Sequence, residues 1–147
     1  MKRYLTMQKA CLVLGVFWLL VIWGNSLRTA AESAAQSGGL LQLIQPLLLA
    51  LGIPGEIQHD LLRKLAHMAE FAVLGLLWSG ALRDEKKAGL KVLVICVAAA
   101  ALDETIQLFV PGRSGEIRDV LIDTLGGILG ICCAVLLRAF AVRRSRK

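Results

Sequence analysis

The sequence predicts an all-α membrane protein: a bundle of four transmembrane helices plus one short interfacial helix on the outer side. Hydrophobic residues make up 56% of the 147 residues, and the mean hydropathy is +0.66, above the balance of soluble domains. The apolar residues form runs long enough to cross a bilayer. Basic residues cluster beside those runs, which indicates membrane topology rather than nucleic-acid binding. Residues 1–147 are therefore treated as one membrane domain.

The first span is predicted over about residues 5–24, an apolar run that follows Lys2, Arg3 and Lys9. The basic start, the short apolar centre and the small residues at 29–31 also fit a secretory signal peptide. The first helix is therefore assigned as a span, with a signal peptide as the open alternative.

The composition then changes twice. Residues 25–39 are rich in Ser, Ala, Gly and Gln without a periodic apolar face, which predicts a linker. Residues 40–53 are apolar but number only about 14 and include Pro46, so they are too short for a crossing. We expect an interfacial or re-entrant helix that packs on the outer face of the spans and lies over a polar pocket.

Three further spans are predicted over about residues 61–82, 89–110 and 118–137. The charged loop at 83–87 is short, so the helices on either side of it should form an antiparallel pair. Pro111 ends the third span, because proline cannot continue a helix.

Polar residues of these spans converge at one depth. They are Lys64, His67 and Glu70 on the second span, Asp103, Glu104 and Gln107 on the third, Arg118, Asp119 and Asp123 on the fourth, and Arg113 in the intervening loop. At 1.5 Å per residue they lie in or beside the outer half of a bilayer about 30 Å thick. Charged groups inside a span cost about 2.5–3.5 kcal/mol each, so we predict that these ten residues form a ligand-binding pocket.

The distribution of charge predicts the orientation. The two termini and the loop region 83–91 carry twelve Lys and Arg against two acidic residues, whereas the opposite side carries five against nine. Because positively charged loops stay in the cytoplasm, this split places both termini there. We therefore expect a multi-pass protein of the cell membrane with its polar pocket in the outer leaflet.

The pocket fits several chemistries. Lys64 and Arg113 form a cationic pair suited to a phosphate or carboxylate. Catalytic candidates are His67, Glu70, Asp103 and Glu104, and a divalent ion on the carboxylates of Glu70, Asp103, Glu104 and Asp123 is an alternative. No specific catalytic motif is present, so we assign no metal ligand and no cofactor and leave enzyme activity open. A ladder of polar groups bonding helix to helix is the structural alternative.

The glycines of the fourth span and the four cysteines support two further predictions. Gly126 and Gly130, four residues apart on the fourth span, predict a face on which a neighbouring helix packs closely. The cysteines are Cys11, Cys96, Cys132 and Cys133. All lie within apolar runs without CxxC spacing, so we expect buried free thiols.

Residues 61–130 contain a set of motifs in a specific order. They are Lys64-x-x-His67-x-x-Glu70-Phe71, Asp103-Glu104-x-x-Gln107, Pro111-Gly112-Arg113, Arg118-Asp119 and Leu125-Gly126. Together they resemble the VanZ-like membrane proteins, a family associated with low-level resistance to teicoplanin-type lipoglycopeptide antibiotics. Asp123 departs from the Asn that the family commonly shows and adds a negative charge. The first span and residues 40–53 match by position and hydropathy only.

The resemblance implies a helical protein of the bacterial envelope that lowers susceptibility to teicoplanin-type lipoglycopeptides. We expect its pocket to bind or alter a lipid-linked envelope component such as a cell-wall precursor, with membrane lipids and no nucleic acid as partners. The alternative is a membrane-embedded hydrolase or transferase acting on a polyprenyl-linked substrate. In that case His67 and Glu70 would form the acid–base pair, assisted by Asp103 and Glu104.

Overall fold

The computed structural model describes residues 2–52 and 54–145, which form five α-helices. They are α1 (Lys2–Ser26), α2 (Ala30–Ala50), α3 (Gly55–Ala81), α4 (Ala88–Gln107) and α5 (Ile117–Ser145). No strand occurs within these described ranges, which confirms the all-α class.

Four of the helices, α1, α3, α4 and α5, pack as a bundle in which α1 and α4 run opposite to α3 and α5. Ser26 at the end of α1 donates to Asp103 near the end of α4 at 2.5 Å. His67 in the first half of α3 lies 3.9 Å from Asp123 in the first half of α5. We call this the site end of the bundle, because it gathers the polar residues that the sequence singles out.

The opposite end, called the basic end, is tied by contacts between the other helix termini. Gln8 on α1 donates to the carboxylate of Asp84, just after α3, at 2.7 Å. Arg138 on α5 donates to the backbone carbonyl of Ser79 on α3. The bundle is therefore fixed by polar contacts at both ends.

The predicted glycine face is confirmed, and its partner is α3. A Cβ atom placed on Gly126 would overlap the backbone carbonyl of Met68, and one on Gly130 would overlap that of Ala72. Only glycine lets the two backbones approach so closely. This contact brings the first half of α3, with His67, directly against the first half of α5.

An apolar core fills the bundle beside this contact. Its buried members are Ile22, Phe71, Leu74, Val92, Cys96, Ala99 and Ala100. They come from α1, α3 and α4, so these helices share one core. Cys96 is buried and Cys11 is half-buried, but Cys132 and Cys133 are exposed, so the prediction of buried thiols is wrong for this pair. Their apolar run on α5 faces outward instead.

The predicted linker at 25–39 is wrong, because α2 already begins at Ala30 and continues past Pro46. The Thr29 hydroxyl accepts from the backbone N–H of Glu32 at 3.3 Å, while the Glu32 carboxylate accepts from the backbone N–H of Thr29 at 2.8 Å. This reciprocal capping box starts the helix, and the alanines that follow favour it. The Ser, Ala and Gly content therefore belongs to a helix of 21 residues, longer than the short helix predicted over 40–53.

Both ends of α2 lie at the site end. It starts shortly after Ser26, and a Cβ atom on Gly112, in the loop between α4 and α5, would lie 3.2 Å from the Ala30 Cβ. Near its other end Leu48 packs against Leu62 in the first turns of α3. Because both ends meet the same end of the bundle, α2 lies across that end rather than alongside the other helices.

The last three helices confirm the predicted helical segments with shifted ends. Pro54, with extended backbone, precedes α3, which therefore starts earlier than residue 61. Residue 53, the predicted end of the interfacial helix, lies outside the described residues. α5 continues through the basic tail, where Arg143 and Arg144 suit the negative end of the helix dipole.

Two helices within the described ranges have the length and apolar composition of a membrane span: Leu5–Ser26 of α1 and Ile117–Arg144 of α5. Only 11% and 28% of their most apolar windows are buried. Most of their apolar side chains therefore face outward, which suits lipid rather than water. These surfaces indicate a membrane protein.

Candidate functional site

Five side chains from four helices form a buried cluster, here called the polar core: Ser26, His67, Asp103, Gln107 and Asp123. Asp103 is fully buried, and both of its carboxylate oxygens accept hydrogen bonds. Oδ1 accepts from Ser26 at 2.5 Å, and Oδ2 accepts from Gln107 Nε2 at 2.9 Å. His67 Nδ1 lies 3.9 Å from Asp103 Oδ2 and 3.9 Å from Asp123 Oδ2. The polar core thus joins α1, α3, α4 and α5 through charge and hydrogen bonding.

Three members of the polar core, Asp123, His67 and Gln107, have buried atoms without a hydrogen-bond partner among the described residues. Asp123 is 1% exposed, and neither of its carboxylate oxygens has a hydrogen-bond partner among the described residues. The same holds for the buried Nδ1 of His67. Leaving a buried polar group unpaired costs about 1–3 kcal/mol, so these atoms stand out from the well-bonded Asp103.

Two further predicted carboxylates are tied to neighbouring segments. Glu70 accepts from Asn25 Nδ2 at 2.9 Å, and its backbone carbonyl accepts from the Trp18 indole at 2.8 Å. Glu104 accepts from the backbone N–H of Glu116, just before α5, at 2.8 Å. Glu70 therefore holds α1 to α3, and Glu104 fixes the loop between α4 and α5.

An open groove, here called the arginine groove, lies at the site end between α2, α3 and the loop before α5. Its volume is about 420 Å³, and it is lined by Ala30, Ser33, Ala34, Asp60, Arg63, Gly112, Arg113 and Ser114. The buried Arg113 NH1 has no hydrogen-bond partner among the described residues. Burial and then the positive charge of Arg63 lower the pKa of Arg113. The groove therefore holds two guanidinium groups whose charges repel each other.

The cations at the groove differ from the predicted pair. Lys64 binds Asp60 at 2.7 Å and lines a separate small cavity beside His67 and Asp123, so it does not join Arg113 in the groove. Arg63 takes its place, with Asp60 at 3.0 Å and Asp119 at 3.8 Å. Arg63 lines both the groove and this small cavity, whereas Lys64 lines only the cavity.

The ten predicted site residues thus separate into groups. The polar core contains His67, Asp103, Gln107 and Asp123. Arg113 lines the groove, Lys64 and Asp119 line the small cavity beside His67, Glu70 and Glu104 bind neighbouring segments, and Arg118 is exposed. The sequence prediction missed Ser26, Asn25 and Arg63. Asn25 and Ser26 follow the first apolar run at the level of the acids, and Arg63 belongs to the polar face of α3, so position could have identified them. Ser33 and Ala34, which line the groove, were not considered as site residues because residues 25–39 were predicted to be a linker.

The fold and site define a class: a helical membrane protein with a buried His–Asp cluster beneath an arginine-lined groove. The family model described as VanZ/LLP1 matches residues 11–138, and the chain belongs to this family. The match includes most of α1, which the motifs themselves did not reach. Searches of curated proteins and of solved structures found no match.

Proposed function

We propose that this protein is a four-span envelope protein whose arginine groove binds the phosphate of a lipid-linked envelope component in the outer leaflet. By binding that component, the protein would lower susceptibility to teicoplanin-type lipoglycopeptides. Membership of the VanZ/LLP1 family is consistent with this role. A groove of about 420 Å³ is within the size range of ligand pockets, roughly 300–1,000 Å³.

The membrane placement rests on helix surfaces and on charge. α4 presents Leu90, Val94 and Val97 outward along one stripe, although Asp103 and Glu104 reduce its overall apolarity. α3 has 27 residues, a length of about 40 Å. Both helices are therefore long enough to cross, and α2, with both ends at the site end, suits the interface. The excess of basic residues near the opposite end supports an orientation with the site end outside.

The observation that carries the proposal is the buried, unpartnered NH1 of Arg113 beside Arg63. Guanidinium groups form paired hydrogen bonds with phosphate oxygens, which are stronger than bonds between neutral groups. An anion in the groove would offset the repulsion between the two arginines, and a small rotation of the Arg113 side chain would bring NH1 to it. Ser33 and Ser114 line the same groove and add hydroxyl groups for a headgroup.

Restricted access to His67 favours a binding function over catalysis. The cavity that His67 lines has a volume of about 10 Å³, roughly one water molecule. Glu70 is bonded to Asn25, and His67 faces Asp103 and Asp123, so the expected pairing of His67 with Glu70 has no support among these contacts. The arginine groove is open and has a volume of about 420 Å³, whereas reaction at His67 would require the helices to open.

The direct test is binding of a polyprenyl phosphate to the full chain in nanodiscs of zwitterionic lipid. Arg113→Gln should weaken binding about tenfold or more, because a hydrogen bond to a charged group contributes about 1.5–3 kcal/mol. The matched control, Arg143→Gln, removes an exposed arginine at the far end of α5 and should bind as the wild type does. Equal affinities for wild type and Arg113→Gln would rule out the groove as the binding site.

The cellular test compares teicoplanin susceptibility and envelope lipids in cells producing wild type, Arg113→Gln or Arg143→Gln at equal levels. We expect resistance to be lost only in Arg113→Gln, with the same lipid species present in all three. A lipid-linked species that appears or disappears with the wild-type protein would instead support the hydrolase or transferase alternative.

A further inference from the structure

His67 Nδ1 and Asp123 Oδ2, which both lack hydrogen-bond partners among the described residues, lie 3.9 Å apart in the polar core. Asp123 is almost fully buried, and within the described ranges neither of its oxygens nor the buried Nδ1 of His67 has a hydrogen-bond partner. Buried polar atoms in proteins nearly always have a partner, and an exception calls for an explanation such as a bound ion. Here the unpaired atoms are a carboxylate and an imidazole nitrogen, both of which are metal ligands.

We infer that the polar core binds one divalent transition-metal cation through His67, Asp103 and Asp123. One ligand atom from each residue lies within 4.8 Å of the other two, and Nδ1 lies 3.9 Å from each carboxylate. With Nδ1 3.9 Å from each carboxylate and the third distance at most 4.8 Å, a cation equidistant from the three atoms would lie no more than about 2.5 Å from each, close to the 2.0–2.2 Å of zinc bonds. Movements of a few tenths of an ångström would complete the coordination.

The surroundings of Asp103 are those of a supported metal ligand. Ser26 and Gln107 each donate to its carboxylate, which fixes the orientation of the group. Such outer hydrogen bonds orient the ligands of metal sites in general. Gln107 Oε1 is also buried and has no partner among the described residues, so this atom remains free to accept a further hydrogen bond.

Charge and donor type indicate the kind of cation. Two carboxylates and a neutral imidazole around a divalent ion sum to zero, which suits a buried position where uncompensated charge is costly. An imidazole ligand favours zinc and its first-row neighbours, whereas magnesium and calcium prefer oxygen ligands alone. The site therefore suits Zn²⁺, with Co²⁺ as a spectroscopic substitute.

This metal set differs from the four carboxylates that the sequence suggested. Glu70 and Glu104 bind Asn25 and the backbone of Glu116, so neither needs a cation. His67 replaces them. The site is also distinct from the arginine groove, so its test has an outcome independent of lipid binding.

The test uses the full chain, purified without a polyhistidine tag, stripped with chelator and titrated with Zn²⁺ by calorimetry. We expect one Zn²⁺ per chain and no comparable binding of Mg²⁺ or Ca²⁺. Asp123→Asn should weaken Zn²⁺ binding about tenfold or more, while the matched control Asp84→Asn at the basic end should leave it unchanged. Absence of Zn²⁺ binding, or equal affinity in Asp123→Asn, would overturn the inference.

Exposed thiols require a second measurement, because Cys132 and Cys133 are adjacent and could bind zinc themselves. The absorption spectrum of the Co²⁺-loaded wild type distinguishes the two sites even if Asp123→Asn does not fold. Visible bands without a thiolate-to-cobalt charge-transfer band are expected for His67 and the carboxylates. A strong thiolate band, or binding lost when Cys132 and Cys133 are changed to Ser, would overturn the proposal.

Discussion

The polar core and the arginine groove lie at the same end of the bundle but treat charge in opposite ways. In the polar core, acids from α4 and α5 are buried around one histidine, and the cavity beside His67 and Asp123 admits about one water. In the groove, two arginines line an open volume of about 420 Å³. The first suits a small cation held rigidly, and the second suits a larger anion that enters from outside.

The difference follows from the elements that build each region. The polar core lies where α3 and α5 touch through glycines, so its side chains have little freedom. The groove lies between α2 and the loop before α5, which approach each other at Ala30 and Gly112. Substitutions in one region should therefore leave binding at the other region unchanged, unless they disturb the helix packing that both share.

The largest effect is expected for Gly126→Leu, which should damage both regions together. A side chain at 126 would overlap the Met68 carbonyl, and backbone cannot yield as a flexible side chain can. The cost should exceed the roughly 1–3 kcal/mol of ordinary overpacking. Folded protein recovered by size exclusion should fall severalfold. Gly24→Leu, which meets open space, is the control, and normal yield of Gly126→Leu would contradict the described helix contact.

An intermediate effect confined to the polar core is expected for Ser26→Ala. Removing the 2.5 Å bond to Asp103 should lower Zn²⁺ affinity by about 10–100-fold, as for other outer-sphere partners. Polyprenyl phosphate binding should stay within about twofold, since Ser26 does not line the groove. Circular dichroism would verify that the fold is intact. Equal losses in both assays would mean that the two regions are not separable.

The smallest effect, confined to the groove, is expected for Thr29→Ala. Losing the cap costs about 0.5–2 kcal/mol, so the start of α2 should fray and lipid phosphate affinity should fall a few-fold. Hydrogen bonds from the Thr29 backbone N–H and hydroxyl lower the pKa of Glu32. The cap is therefore complete at neutral pH and is lost as the pH falls through that lowered pKa. Lipid binding that is unchanged by Thr29→Ala would show that α2 does not shape the groove.

Helical periodicity predicted much of this site. The acids, His67 and the glycines were placed correctly on helices because a period of 3.6 and a depth count fix which residues share a face and a level. The prediction that Lys64 pairs with Arg113 was wrong, because which cation of α3 reaches the groove depends on where the neighbouring helices lie around α3. The linker predicted over residues 25–39 was wrong for a different reason. Thr29 and Glu32 form a local signal for a helix start, but the prediction gave more weight to the surrounding Ser and Gly residues.

Orientation is the central claim, since a groove that binds outer-leaflet lipid must open outside the cell. The most direct measurement is labelling of intact cells with a membrane-impermeant maleimide, using chains whose native cysteines are replaced. Ser114→Cys, in the groove, should be labelled, and Glu85→Cys, in the loop between α3 and α4, should be labelled only after the cells are opened. Labelling of Glu85→Cys in intact cells, with Ser114→Cys protected, would contradict the account.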